Sequence, residues 1–211
     1  MKNSSVISKK RVAFLLTIVG GFLEIYSYLL LGNVFATTIT GNLILMAFNL
    51  KRLNFDNVLK YIVPIIFFCL GVYVSEKIKS KVSENFGKVV LFLEIIILIC
   101  IPFIGIQLIS VSLIAFISAI QIQTFRKVSE NVYMSTMCTG NTRSLIEAVA
   151  NGRKQDVKNY FVVIIGFLSG VLLGDVSILF FDKFSIYICV LILVGLLIYI
   201  MKKEGKNEVI R

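Results

Sequence analysis

Residues 36–42 read Ala-Thr-Thr-Ile-Thr-Gly-Asn, and residues 135–141 read Ser-Thr-Met-Cys-Thr-Gly-Asn. The Thr-Gly-Asn of Thr40, Gly41 and Asn42 thus returns as Thr139, Gly140 and Asn141, an offset of 99 positions (139 − 40). The register then holds without a gap. Tyr61 falls on Tyr160, Phe68 on Phe167, Gly71-Val72 on Gly170-Val171, and Glu76 on Asp175. Twelve of the 41 positions from Ala36 to Glu76 are identical to Ser135–Asp175. Two apolar stretches always share some Ile and Val, but Thr-Gly-Asn, Tyr and Gly coinciding at one offset point to a duplication, which decides the architecture.

Composition gives the class. With 57% hydrophobic and 16% charged residues and a mean hydropathy of +0.90, the chain reads as an integral membrane protein. Val12–Leu31 is long enough to span and no small-residue cleavage site follows it, so it reads as a retained signal anchor. The net charge of +10 needs no nucleic-acid partner, because Lys and Arg at the ends of apolar spans obey the positive-inside rule. Cys69, Cys100, Cys138 and Cys189 lack pairing spacing and read as reduced thiols. No His is present and the carboxylates are dispersed, so no metal or other cofactor is expected.

A span takes about 20 apolar residues. Val12–Leu31 qualifies; Tyr61–Ser75 qualifies if Leu59 and Lys60 extend it by snorkelling. Val89–Phe125 is twice a span, and Pro102 with Gly105 offers the break for a helical hairpin. Asn159–Phe181 and Phe184–Met201 form a second hairpin, turned at Asp182-Lys183. That makes six. Val34–Leu50 and Val132–Ala150 would raise the count to eight, but the charges oppose it. Six spans with both termini inside put eighteen Lys and Arg on the inner face and four (Lys51, Arg52, Lys60, Lys183) outside. The expected fold is therefore an all-α membrane bundle in one domain. Its two three-span repeats cover about residues 12–109 and 111–202, each with an extra short or re-entrant helix. An odd number of spans per repeat inverts the second, a recurrent plan of transporters.

The stretches GGFLEIYSYLLLGNVFATTITGN (20–42) and QIQTFRKVSENVYMSTMCTGNTRS (121–144) resemble the YoaK-like family of uncharacterised bacterial multipass membrane proteins. Gly21, Glu24 and Tyr28 occupy the places where that family shows a glycine, an acidic residue and an aromatic. Members more often carry Asp at the acidic position. The resemblance implies a bacterial cell-membrane protein and brings no established substrate or reaction.

The candidate chemistry is sparse. Asn42 and Asn141 each precede a helical stretch, Leu43–Leu50 and Thr142–Ala150, and Thr, Gly and Asn are residues that start helices. Two half-helices would aim positive dipole ends at a small polar or anionic solute; capped interfacial helices are the plainer reading. Glu24 lies mid-span, where a charge costs at least ~2.5 kcal/mol, and so is a functional candidate. Its repeat equivalent, Gln123, keeps polarity without charge. Gln121 and Gln123 diverge by about 200° on a helix and should meet different partners. Glu94 stands close enough to Val89 to reach the interface. Arg143, beside the second Thr-Gly-Asn, could attract an anion or a lipid head group. No nucleophile-and-base arrangement and no P-loop is present, so no enzyme is expected. The sequence favours a gradient-driven small-solute transporter or channel. The alternative is a non-transporting scaffold, partner subunit or lipid-binding protein, and self-association is open in either case.

Overall fold

A computed structural model of the chain describes residues 2–79, 86–125, 127–128, 131–132 and 138–208. Eight α-helices carry nearly all of it: α1 (Lys2–Leu30), α2 (Ile39–Lys51), α3 (Phe55–Lys79), α4 (Phe86–Cys100), α5 (Gln107–Thr124), α6 (Cys138–Ala150), α7 (Lys154–Phe181) and α8 (Tyr187–Glu208). A two-residue antiparallel pair, Lys127–Val128 with Asn131–Val132, is the only strand structure among the described residues. The breaks fall where the sequence put them. A 3-10 turn at Ile101–Phe103 carries Pro102 between α4 and α5, and another at Asp182–Ile186 separates α7 from α8.

Among the described residues five segments are long and apolar enough to cross a membrane, the last being the 49-residue Lys154–Lys202, which contains α7, its 3-10 turn and most of α8. Their outward faces carry large apolar side chains, among them Ile66, Phe92, Leu172, Leu179 and Leu191. A contiguous apolar exterior of this kind is the surface a bilayer covers. The 13 residues of α2 rise only about 20 Å, against roughly 30 Å of hydrocarbon.

Helix starts repeat at the offset of the sequence. Ile39 and Cys138, Lys51 and Ala150, and Phe55 and Lys154 each differ by 99, so α2 matches α6 end for end and α3 matches the start of α7. The packing repeats as well. The two most extensive contacts are α1 with α7 and α3 with α5, the first helix of each half on the third of the other. Repeat-equivalent glycines make both possible. A Cβ on Gly170 would strike the carbonyl oxygen of Ile18, and one on Gly71 that of Phe116. Only glycine lets backbones approach this closely.

Directions follow from the same contacts. Along α1, Phe14, Ile18 and Phe22 meet Gly166, Gly170 and Gly174 of α7, rising together, so the pair is parallel. On α3 and α5, Gly71 meets Phe116 and Glu76 meets Gln123, again rising together. Gln107 at the start of α5 donates to the Leu30 carbonyl at the end of α1 (3.1 Å), and Lys60 near the start of α3 lies against Gly32. The starts of α3 and α5 therefore share one end of the bundle with the finish of α1.

Candidate functional site

The site begins with a reversal. After α1 stops at Leu30, Gly32 (φ 88°) and Asn33 (φ 59°) take left-handed conformations, which Gly and Asn tolerate best. The chain then doubles back along α1 as a non-helical link, residues 34–38, before α2. Tyr28 stacks on Phe35 with ring centroids 5.0 Å apart. Glu24, only 4% exposed, accepts the Thr37 N–H through Oε1 at 2.8 Å and the Thr37 hydroxyl through the same oxygen. Ala36 and Thr38 flank the carboxyl group. Its Oε2 is buried with no hydrogen-bond partner among the described residues, and so is Oγ of Ser27, one turn further along α1.

The first Thr-Gly-Asn holds this link in place, and its role differs from the expected cap. The helix starts at Ile39, four residues before Leu43; Thr38 stands at the cap position and makes no side-chain cap bond. Asn42 lies inside the first turn, 1% exposed, and reaches back. Its Oδ1 accepts the Phe35 N–H (3.0 Å) and its Nδ2 donates to the Phe35 carbonyl (2.7 Å). Gly41 leaves room for the Phe35 ring, which a Cβ would meet at 3.0 Å. Thr40 is exposed. The cap reading of Asn42 gives way to a clamp on Phe35, because a two-way amide bond to a non-helical backbone satisfies both of its buried groups.

The second Thr-Gly-Asn likewise sits inside the first turn of its helix, since α6 starts at Cys138 and not at Thr142. Asn141 is buried, while Thr139, Gly140 and Arg143 are exposed. The preceding residues 133–137, part of the expected segment Val132–Ala150, lie outside the described residues. The Cys138 thiol is within electrostatic reach of the Glu24 carboxyl. The start of α2, through Thr37, is thus tied to one acidic side chain.

Two other candidates stand apart. Gln123 is half-buried at the end of α5 and donates to the carboxylate of exposed Glu76, so its repeat equivalence with Glu24 does not bring the two together. Gln121 faces elsewhere, as the helical angle requires: its Nε2 donates to both oxygens of Glu94, at 3.0 and 2.9 Å. Glu94 is fully buried, which corrects the expectation that it could reach the interface. The four cysteines are free thiols, and no metal-ligating cluster occurs among the described residues. Beyond the Gly32 turn, a cavity of about 160 Å³ is lined by Leu31, Val34, Lys60, Gln107, Leu108 and Val111.

Sequence reasoning named Glu24 and Asn42 but missed Phe35 and Thr37, their partners. A signal was present. Gly21, Glu24 and Tyr28 stand at i, i+3 and i+7 on one face of α1, and Gly32-Asn33 is a reversal dipeptide that returns the chain onto that face.

Residues 12–199 match the family described as Protein of unknown function (DUF1275). The chain belongs to that family. The match agrees with the resemblance to an uncharacterised family, without carrying the YoaK-like label. No curated protein and no solved structure matches the chain. For this DUF1275 member, function therefore has to be argued from the geometry around Glu24.

Proposed function

We propose that this DUF1275 member is a gradient-driven transporter or channel for a small polar solute, built from six spans in two inverted repeats, with its pathway between the halves. The observation that carries the reading is Glu24, a mid-helix carboxyl group holding a non-helical link against α1, beside the start of α6. Within a bilayer, non-helical backbone is tolerated where it is buried in protein or lines a wet cavity. A buried acidic residue there is costly, which makes it a functional candidate by default.

The inverted arrangement is supported by three facts. Three helix boundaries, both ends of α2 and the start of α3, recur at 99 residues, each half packs its first helix on the other's third, and α5 starts at the end where α1 finishes. Helix α2 is too short to cross. A cysteine at Asp56 and one at its repeat equivalent Gln155, in a protein freed of its four native cysteines, test this reading. An impermeant thiol reagent on intact bacterial cells should label the first and spare the second until the membrane is permeabilised. Equal labelling of both would remove the inversion, and the opposite pattern would reverse the cytoplasmic placement of both termini.

On the solute, the position of Glu24 argues against an anion. The helix start that would attract one already faces the protein's own carboxyl group. A cationic or hydrogen-bond-donating polar solute fits better. Purified protein should gain thermal stability from at least one such metabolite, by about 2.7 kcal/mol at a hundred times its Kd. The same compound should exchange across reconstituted vesicles. Stabilisation without exchange would favour the second reading, a scaffold, partner subunit or lipid-binding protein. The two-way clamp of Asn42 on Phe35 suits that reading, since it is what a purely structural link also needs.

A further inference from the structure

We infer that Glu24 carries an exchangeable proton, and that this proton sets how firmly the 34–38 link is held against α1. Two observations carry the inference. The two carboxyl oxygens are used unequally: Oε1 takes both Thr37 donors, while Oε2 is buried with no hydrogen-bond partner among the described residues. One turn further along the same helix, Ser27 Oγ is equally buried and partnerless among them. Residues three apart are neighbours on a helix surface. A proton arriving from water forms an O–H bond at Oε2, leaves its water carrier neutral, and finds an acceptor in Ser27 Oγ after a side-chain rotation.

Two further groups of the same link, the Thr38 side chain and the Ala36 backbone, also approach the carboxyl group, and neither is titratable. The titratable group facing it from another element is the Cys138 thiol of α6. Among the described residues α7, α8 and α5 bring no charged group to it. Glu94 is buried too, but Gln121 occupies both of its oxygens, which makes it the internal control.

The consequence for the link follows from hydrogen-bond strength. Bonds to an ionised carboxylate are roughly twice as strong as neutral ones. Proton binding therefore loosens both Thr37 contacts, and proton loss tightens them. If the transport reading above holds, the proton is the coupling ion and the link is the element it moves; the proton site itself does not depend on that reading.

Infrared titration of the full chain in lipid nanodiscs tests the site. The difference spectrum between the parent and Glu24→Gln should show a protonated-carboxyl band that appears in acid, is still present when both carry Glu94→Gln, and moves in frequency in Ser27→Ala and Thr37→Val. If Glu24→Gln fails to fold, the last two variants carry the assignment, and an unmoved band in both overturns it. A difference spectrum between the parent and folded Glu24→Gln that holds no titrating band, or whose band is abolished by sodium at fixed pH, also overturns it.

The hold is read with Val34→Cys, a buried link position, in a background without native cysteines. Labelling, normalised to the denatured protein, should accelerate several-fold in acid and become fast at every pH once Glu24→Gln is added. Labelling that ignores pH in the Glu24 protein overturns the inference. Vesicles loaded with a pH dye separate the two readings. A silent dye and no solute exchange with Glu24 still titrating sink transport and leave the proton site standing; solute exchange without a titrating Glu24 does the reverse.

Discussion

Gly170→Leu should leave no folded protein to purify, and Gly71→Leu should do the same. Both glycines sit where a backbone carbonyl of another helix takes the place of a side chain, Ile18 in one case and Phe116 in the other. A carbonyl in a helix cannot move aside as the end of a flexible side chain can. Even one methyl group there forces the helices apart, and overpacking of this kind typically costs about 1–3 kcal/mol. A leucine costs more. In lipid no hydrophobic force pulls spans together, so close packing of small residues is most of what holds α1 to α7 and α3 to α5. Alanine variants give the graded version. Gly170→Ala and Gly71→Ala should both lower the melting temperature clearly. Gly174→Ala should lower it less, because its methyl would clash with a side-chain atom, Cγ2 of Ile25, and meet backbone only at an ordinary contact distance. Gly195→Ala has open space and should be neutral. Size-exclusion profiles and thermal melts in detergent read the order. Equal losses at 170 and 174, or none at 170, would mean that the α1–α7 contact is not a close crossing.

Much of this architecture was legible because periodicity and offset are properties of the chain alone. The offset of 99 made α6 the counterpart of α2, and Pro102 and Asp182-Lys183 placed the two breaks. What the sequence concealed lies in contacts that the Gly32-Asn33 reversal creates. Asn42 precedes an apolar run and so looked like a cap, yet its amide turns back seven residues to Phe35. Local propensity cannot see such a partner. Glu94 shows the same limit across a hairpin. Five residues into its apolar run it reads as near the interface, but folding at Pro102 brings Gln121 over it and buries both. Gln123 teaches the converse. It stands 99 residues after Glu24, but its neighbour is Glu76 at the end of α3, because an offset in sequence does not carry the surroundings of a side chain with it.

Asn42→Ala and Asn141→Ala should each cut solute exchange strongly, and the double variant should lose little more than either alone. The two asparagines hold equivalent places 99 residues apart, both buried in the first turn of a short helix. The start of α2 is tied to Glu24, and on the proposed reading the start of α6 serves the same site. Stability should behave differently. Removing the Asn42 amide strands the N–H and the carbonyl of Phe35, and an unsatisfied buried group costs about 1–3 kcal/mol. Asn141 belongs to a different helix with its own surroundings, so the two stability losses should add. Asn42→Asp sharpens the test, since it keeps the acceptor for the Phe35 N–H and loses the donor to the Phe35 carbonyl. Its melting temperature should fall between those of the parent protein and Asn42→Ala. Exchange and melting temperature, measured on the same preparations of parent, single and double variants, then separate the roles. Non-additive loss of exchange beside additive loss of stability makes the pair two supports of a single pathway. Exchange that survives in the double variant while stability falls additively leaves both Thr-Gly-Asn elements as scaffold, and the case for a central pathway would then rest on Glu24 alone.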